Sequence, residues 1–252
     1  MNQWDLYEAR RTVTGKTKRD ATLKREQRYL SHLIPDSLSY HHLVVGKQER
    51  QMAVINSDNL NEKTLLTLPG ETVDCGQYVE WMDNHWLITE KDANTEVYTR
   101  AKMIQCNYLL KWVDERTRQV VERWCIVEDG TKYLTGEYGD KQYVFMRGDS
   151  RIQITIARDE YTKRLDRENR FLVDDPETET ILAYRLTKPF KLSGVFNNQG
   201  VYRFVLSEVT TETTDDLVNF IPNYYKYFPR PEDPEIIDPG AGHTDSGKKV
   251  WL

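Results

Sequence analysis

Apolar and polar residues alternate along the middle of this chain. Ile104, Cys106, Tyr108, Leu110 and Trp112 fall on one face of a period-2 pattern. Ile152, Ile154 and Ile156 alternate with Gln153 and Thr155, and Tyr202, Phe204 and Leu206 alternate with Val201, Arg203 and Val205. Such alternation predicts strands that turn one face to a core and the other to water or a partner. The apolar pieces are short, and turn signals separate them at Asp83-Asn84, Asp129-Gly130, Gly139-Asp140, Gly148-Asp149 and Asn197 to Gly200. Residues 36–215 therefore read as strands almost throughout. No helix-length crossover lies between them, which favours barrels or sandwiches over a parallel α/β sheet.

Both ends depart from this pattern. Residues 1–30 are basic, with Arg10, Arg11, Lys16, Lys18, Arg19, Lys24, Arg25 and Arg28 against Asp5, Glu8, Asp20 and Glu26. Leu23, Leu30 and Leu33 lie roughly on one stripe, which predicts a helix over Ala21–Leu33 that Pro35 stops. Gly15 breaks the arm into pieces. Such an arm is either a solvated terminus or a segment that orders against a partner. At the other end, Pro222, Pro229, Pro231, Pro234 and Pro239 precede Gly240, Gly242 and Gly247, a composition that prefers extended geometry. Its aromatics, Phe220, Tyr224, Tyr225, Tyr227, Phe228 and Trp251, either dock on another surface or pack back on their own domain.

The expected architecture is mainly all-β. A basic, partly helical arm (1–35) precedes a small β-barrel (36–128), a second β domain (129–215) and an extended, irregular Pro- and aromatic-rich tail (216–252). The change of domain is expected near 125–132, with Trp81, Trp86 and Trp112 in the first barrel. The charged stretch Asp159–Arg170 reads as a short helix or a long loop.

Composition narrows the function. A net charge of −5 argues against a nucleic-acid binder by bulk charge. Six Trp and fifteen Tyr in 252 residues are too many aromatics for a chain without a core. No apolar run approaches the ~20 residues of a membrane helix, and the charged first thirty residues show no secretory signal core. Cys75, Cys106 and Cys125, odd in number and widely spaced, argue against a disulfide framework and fit synthesis in a reducing cytoplasm.

Catalytic signatures are missing from the sequence. It has no phosphate-binding glycine loop, no Gly-x-Ser-x-Gly elbow and no Cys-x-x-Cys. His41 and His42 would face opposite sides of a strand. The carboxylate pairs Asp174–Asp175 and Asp215–Asp216 are not placed across a cleft by anything in the sequence, as a glycosidase would require. The Trp and Tyr content suits a sugar-binding face or a barrel core, with the core favoured. Arg147-Gly148-Asp149, between Val144/Met146 and Ile152/Ile154, reads as a hairpin turn rather than an adhesion motif.

The most distinctive stretch is Glu71–Trp112. It runs Val73-Asp74-Cys75-Gly76-Gln77-Tyr78-Val79-Glu80-Trp81, then Asn84-His85-Trp86-Leu87-Ile88, then Ile104-Gln105-Cys106-Asn107-Tyr108-Leu109-Leu110-Lys111-Trp112. This resembles structural proteins of tailed bacteriophages infecting Gram-positive bacteria, of the head-tail connector and head-closure (neck) group. The arm around Arg11 and Gly15 to Arg19 is similar to their amino terminus. Arg170-Phe171-Leu172, Tyr184-Arg185-Leu186 and Gly200-Val201-Tyr202 are similar to their second β domain. The flanking of Gly76 by Cys75 and Gln77 departs from that pattern, and the Pro-rich end has no counterpart in it.

The resemblance implies a non-enzymatic virion component without catalytic, cofactor-binding or metal-binding residues. Such a protein forms a ring with copies of itself, meets a portal or adaptor protein on one side and the tail or next neck protein on the other, and touches packaged DNA transiently in the lumen. Its location would be the virion, with no membrane contact. Arg10, Arg11, Lys16, Lys18, Arg19, Tyr224, Tyr225, Tyr227 and Phe228 are the candidate interface residues. The alternatives are a carbohydrate-binding or adhesion module of a phage tail, a minor capsid or tail-completion protein, and a hydrolase with unrecognised acidic residues.

Overall fold

A computed structural model describes residues 2–12, 15, 17–94, 96–129, 151–175, 180–189, 191, 194–196 and 198–230. Helices α1 (Gln3–Thr12) and α2 (Lys18–Leu33) form the arm, with Gly15 between them. The helix expected over Ala21–Leu33 thus starts three residues earlier. Thr17 and Asp20 set that start through a capping box, in which each side chain accepts from the other's backbone N–H, at 3.1 and 3.2 Å.

Six antiparallel strands follow: β1 (Tyr40–Val45), β2 (Gln48–Asn56), β3 (Glu62–Leu66), β4 (Tyr78–Trp81), β5 (Asn84–Lys91) and β6 (Arg100–Gln105). They close a barrel in the order β1-β2-β3-β6-β5-β4, with Val44 opposite Glu80 at the closing seam. Leu43, Val45, Met52, Leu65, Val79, Trp86, Ile88 and Met103 fill its interior. The β4–β5 turn is Met82-Asp83, both at positive φ (49° and 59°), the geometry that matches strand twist in a two-residue hairpin. The sequence signal at Asp83-Asn84 lies one residue late, because Asn84 opens β5 and donates its side-chain amide to Met82 O at 2.7 Å.

The second sheet contains β7 (Tyr108–Asp114), β8 (Gln119–Asp129), β9 (Arg151–Ala157), β10 (Arg170–Asp175), β11 (Thr180–Lys188) and β13 (Gln199–Val209), in the order β10-β11-β13-β9-β8-β7; the short β12 (Val195–Phe196) pairs with β13. It curls into a nearly closed barrel, and Tyr108 Oη donates to Leu172 O across the remaining gap at 3.2 Å. Trp112 packs edge-on against Phe171 in its core, with Leu110, Ile154, Ile156, Phe204 and Leu206. The mainly β architecture, a small barrel followed by a second β unit, is as expected, and the barrel-like curl of the second unit is what the structure adds.

Strand allotment differs from the expected boundary. Hydrogen bonding changes sheet between Gln105 and Tyr108, not near 125–132, so β7 and β8 belong to the second sheet and Trp112 is buried there. The alternating run from Ile104 to Trp112 is two strands in two sheets. Within Asp159–Arg170, expected as a short helix or a long loop, the chain makes one 3₁₀ turn at Thr162–Arg164.

A third cluster joins the two units: Leu87, Cys106, Ile126, Ala157 and Val201, flanked by Tyr78, Ile104 and Trp124. Tyr78 Oη donates to Trp124 O at 2.6 Å across this junction. Gly76, at φ 87°, lies so close that a Cβ there would overlap the Gly200 carbonyl. The turns expected at Gly139-Asp140 and Gly148-Asp149, the Arg147 tripeptide, Gly130, Asn197 and the tail from 231 lie outside the described residues.

Candidate interaction surface

The arm is held to the body by few groups. Arg19 pairs with Glu96 in the β5–β6 connection at 2.6 Å, and Gln27 donates to Glu96 O at 3.1 Å. Leu23, Gln27 and Leu30 are half-buried along one stripe that ends at buried Ile34. Lys18, Lys24, Arg25 and Arg28 project from the other side and are exposed. Lys18 and Arg25 are seven residues apart and Lys24 and Arg28 four apart, so the helical period gathers them on one face. On α1, Trp4 stacks on Tyr7 at 5.5 Å with both rings exposed. Arg10 and Arg11 belong to α1 by backbone, but their side chains, like Lys16 as a whole, lie outside the described residues.

The tail aromatics sit differently. Helix α3 (Tyr224–Tyr227) follows a loop anchored by Asp215 and Asp216. Tyr224 stacks on Phe228 at 4.6 Å, Arg230 lies over the Tyr225 ring at 4.9 Å, and Tyr227 Oη donates to Glu115 at 3.3 Å. All four aromatics are half-buried, so the described part of the tail packs back on its own domain. Among the described residues no hydrogen bond, ion pair or ring contact joins them to the arm.

An acidic barrel face is a feature that the sequence reading did not single out. Cross-strand register places Glu49 of β2, Val44 of β1 and Glu80 of β4 side by side, facing outward. Asp83 and Glu71 border the same surface, where two adjoining shallow grooves share His42 and Glu49. All four carboxylates are exposed, and none is in an ion pair among the described residues. Arg50, beside them, is already committed to Thr72 O (2.6 Å) and Gln48. The signal was present in the period-2 spacing, but only the closing seam between β1 and β4 brings Glu49 and Glu80 together.

The polar residues weighed for chemistry have structural partners. Asp215 receives two hydrogen bonds from the Arg170 guanidinium, at 3.1 and 3.0 Å, and others from the backbone N–H groups of Glu212 and Asn223. Asp216 accepts from Val218, Asn219 and the Asn219 side chain. The side chains of Asp174 and Asp175 lie outside the described residues. His41 packs against Trp81 at 5.4 Å, whereas exposed His42 meets the Gln51 amide at 3.1 Å. Among the described residues no group of three or more His, Cys, Asp or Glu could hold a metal ion, and no helix is long and apolar enough to cross a membrane. Burial pushes the Cys106 thiol up to about 12 and likewise raises the Cys125 thiol above its ordinary value. Trp86 and Trp112 are buried and Trp81 is half-buried against Trp86 and His41, so the three do not form an exposed aromatic platform.

Residues 16–105 match the family model of the YomX N-terminal domain. That family is phage-derived, so this segment is a phage-related domain. The match spans 90 of the 252 residues and coincides with structure: it takes in α2 and ends at Gln105, the last residue of the six-stranded barrel. No curated protein and no solved structure matches the chain.

Proposed function

We propose that the protein is a structural component of a tailed-phage particle, placed in the neck between portal and tail, where copies form a ring that helps retain DNA and dock the tail. The observation that carries this reading is that a phage-related domain coincides with one physical unit, a helical arm on a closed barrel. The motif resemblance across Glu71–Trp112 and the later β segments supports the neck in particular. A second curled sheet bound to the first through a packed junction gives each copy a body with two ends. Rotationally repeated contacts between such bodies close a ring. Burial of Trp86 and Trp112 weighs against the carbohydrate-binding alternative, which needs exposed rings.

The test is genetic and structural. A phage from which this gene is deleted should give particles that lose DNA or lack tails, and an epitope-tagged copy should label the head-tail joint by electron microscopy. Complete, infectious particles without the protein, or label confined to the tail tip or the head shell, would refute the neck assignment.

A further inference from the structure

The basic face of α2 points away from its own body, because the stripe of Leu23, Gln27 and Leu30 and the bonds of Arg19 and Gln27 to Glu96 occupy the opposite side. Its own barrel therefore cannot meet Lys18, Lys24 and Arg28, which have no hydrogen-bond or ion-pair partner among the described residues. The barrel carries the complementary surface. Glu49 and Glu80 flank Val44 across neighbouring strands, which places them about 10 Å apart at the usual strand spacing. Asp83 and Glu71 extend the row, and exposed Met82 adds an apolar contact. Lys24 and Arg28 rise about 6 Å apart along the helix, and their long side chains reach across the remainder. The whole-chain charges are divided in the same way. Residues 1–34 hold eight Lys and Arg against four Asp and Glu, so within a total of −5 the rest of the chain carries −9.

We propose that the outward face of α2 (Lys18, Lys24, Arg25 and Arg28) of one copy docks on the acidic β2–β1–β4 face (Glu49, Glu80, Asp83 and Glu71) of another copy. This rests on the ring reading above and names the contact that would build the ring. The contact is heterologous, using two different patches, so each copy both gives a helix and receives one, and repetition around an axis closes the set. Opposite charges steer the encounter and fix register, while exposed pairs add little individual affinity. The contact is therefore weak pairwise and strengthened when a platform holds copies side by side.

The test uses the purified full chain, mixed from isotopically light and heavy preparations. Carbodiimide, which couples a lysine amine to a carboxylate in contact, should give light–heavy cross-links from Lys18 and Lys24 to Glu49, Glu71, Glu80 or Asp83. The yield should fall as salt rises. Lys24→Glu with Arg28→Glu should lower this yield roughly tenfold, as should Glu49→Lys with Glu80→Lys. Carrying both pairs of reversals in one chain should restore association, read by sedimentation equilibrium because the cross-linkable groups have changed places. Circular dichroism shows whether each variant is folded.

Cross-links absent, confined within one copy or falling on other carboxylates overturn the proposal. So does failure of the charge swap to restore association in folded protein. If α2 instead binds a 20-base-pair DNA duplex, loses it on Lys24→Glu with Arg28→Glu, and forms none of these cross-links, the face is for nucleic acid and the proposal is wrong. Cross-linking that behaves as expected in a protein absent from particle necks would refute the neck reading and leave this contact standing.

Discussion

The Arg170–Asp215 pair should be among the most costly polar interactions to break. The Asp215 side chain is fully buried and that of Arg170 is 4% exposed. Two parallel N–H···O bonds join them, Arg170 also donates to Thr210 O at 2.7 Å, and Glu212 approaches the guanidinium at 3.1 Å. Arg170→Met would leave a buried carboxylate supported only by the backbone N–H groups of Glu212 and Asn223. Removing one partner of a buried pair costs about 3–5 kcal/mol, mostly because the remaining charge is uncompensated. Asp215→Asn keeps the shape and one acceptor, and half-exposed Glu212 remains beside the guanidinium, so about 3 kcal/mol is expected there. In the double variant neither charge is stranded, and its cost should fall short of the sum by about 2 kcal/mol or more. Urea unfolding followed by tryptophan fluorescence measures all three. Hydrogen exchange should separately show residues 210–228 released first, since Asp215 ties that segment to β10. Single variants each costing under about 1 kcal/mol, or a strictly additive double, would refute the reasoning.

Trp112→Ala should cost about 3–5 kcal/mol in the same urea assay, from the lost burial and the cavity left beside Phe171. Burial works to raise the Asp114 carboxyl, but the hydrogen bonds of Thr117 and the nearby Arg164 outweigh it and hold the group below its ordinary value. A depressed folded value means the contribution is present above the unfolded pKa of about 3.9 and is lost as pH falls through the folded one. Asp114→Asn should therefore flatten the acid limb of a stability–pH curve below about pH 4 and leave its shape above pH 6 unchanged. A thiol reagent at pH 8 should leave Cys106 and Cys125 unmodified in the native protein and label them only on unfolding, with half-buried Cys75 reacting first. Hydrogen exchange on the isolated protein should find α1 and α2 exchanging well before the strands of either sheet, because α2 buries no residue and ordering such an arm costs about 1–2 kcal/mol per backbone residue; protection equal to that of the strands would refute that.

The β class was legible because alternation depends only on which face each side chain takes, and that follows from strand geometry whichever sheet the strand joins. The same independence hid the boundary. Cys106 and Asn107 continue the extended chain from β6 to β7, and Cys106 packs with Ile104 in the cluster between the two units. The apolar face therefore never breaks as the chain passes from one sheet to the other, and the pattern from Ile104 to Trp112 reads as one strand. Only hydrogen-bond partners distinguish the two, and those are long-range: Gln105 pairs with Trp86, whereas Tyr108 pairs with Cys125. The candidate surface divides in the same way. Helical spacing shows that Lys24 and Arg28 share a face, since four residues make about one turn. Glu49 and Glu80 are 31 residues apart and become neighbours only through Val44 at the seam that closes the barrel. A local charge run can be read from a sequence, whereas a charge row across a seam requires the register. The basic charge of the arm was therefore visible from the residues, but of the arm residues expected at an interface, Arg10, Arg11, Lys16, Lys18 and Arg19, only Lys18 belongs to the proposed face, Arg19 being paired with Glu96 of its own body; the acidic counterpart had to come from the fold.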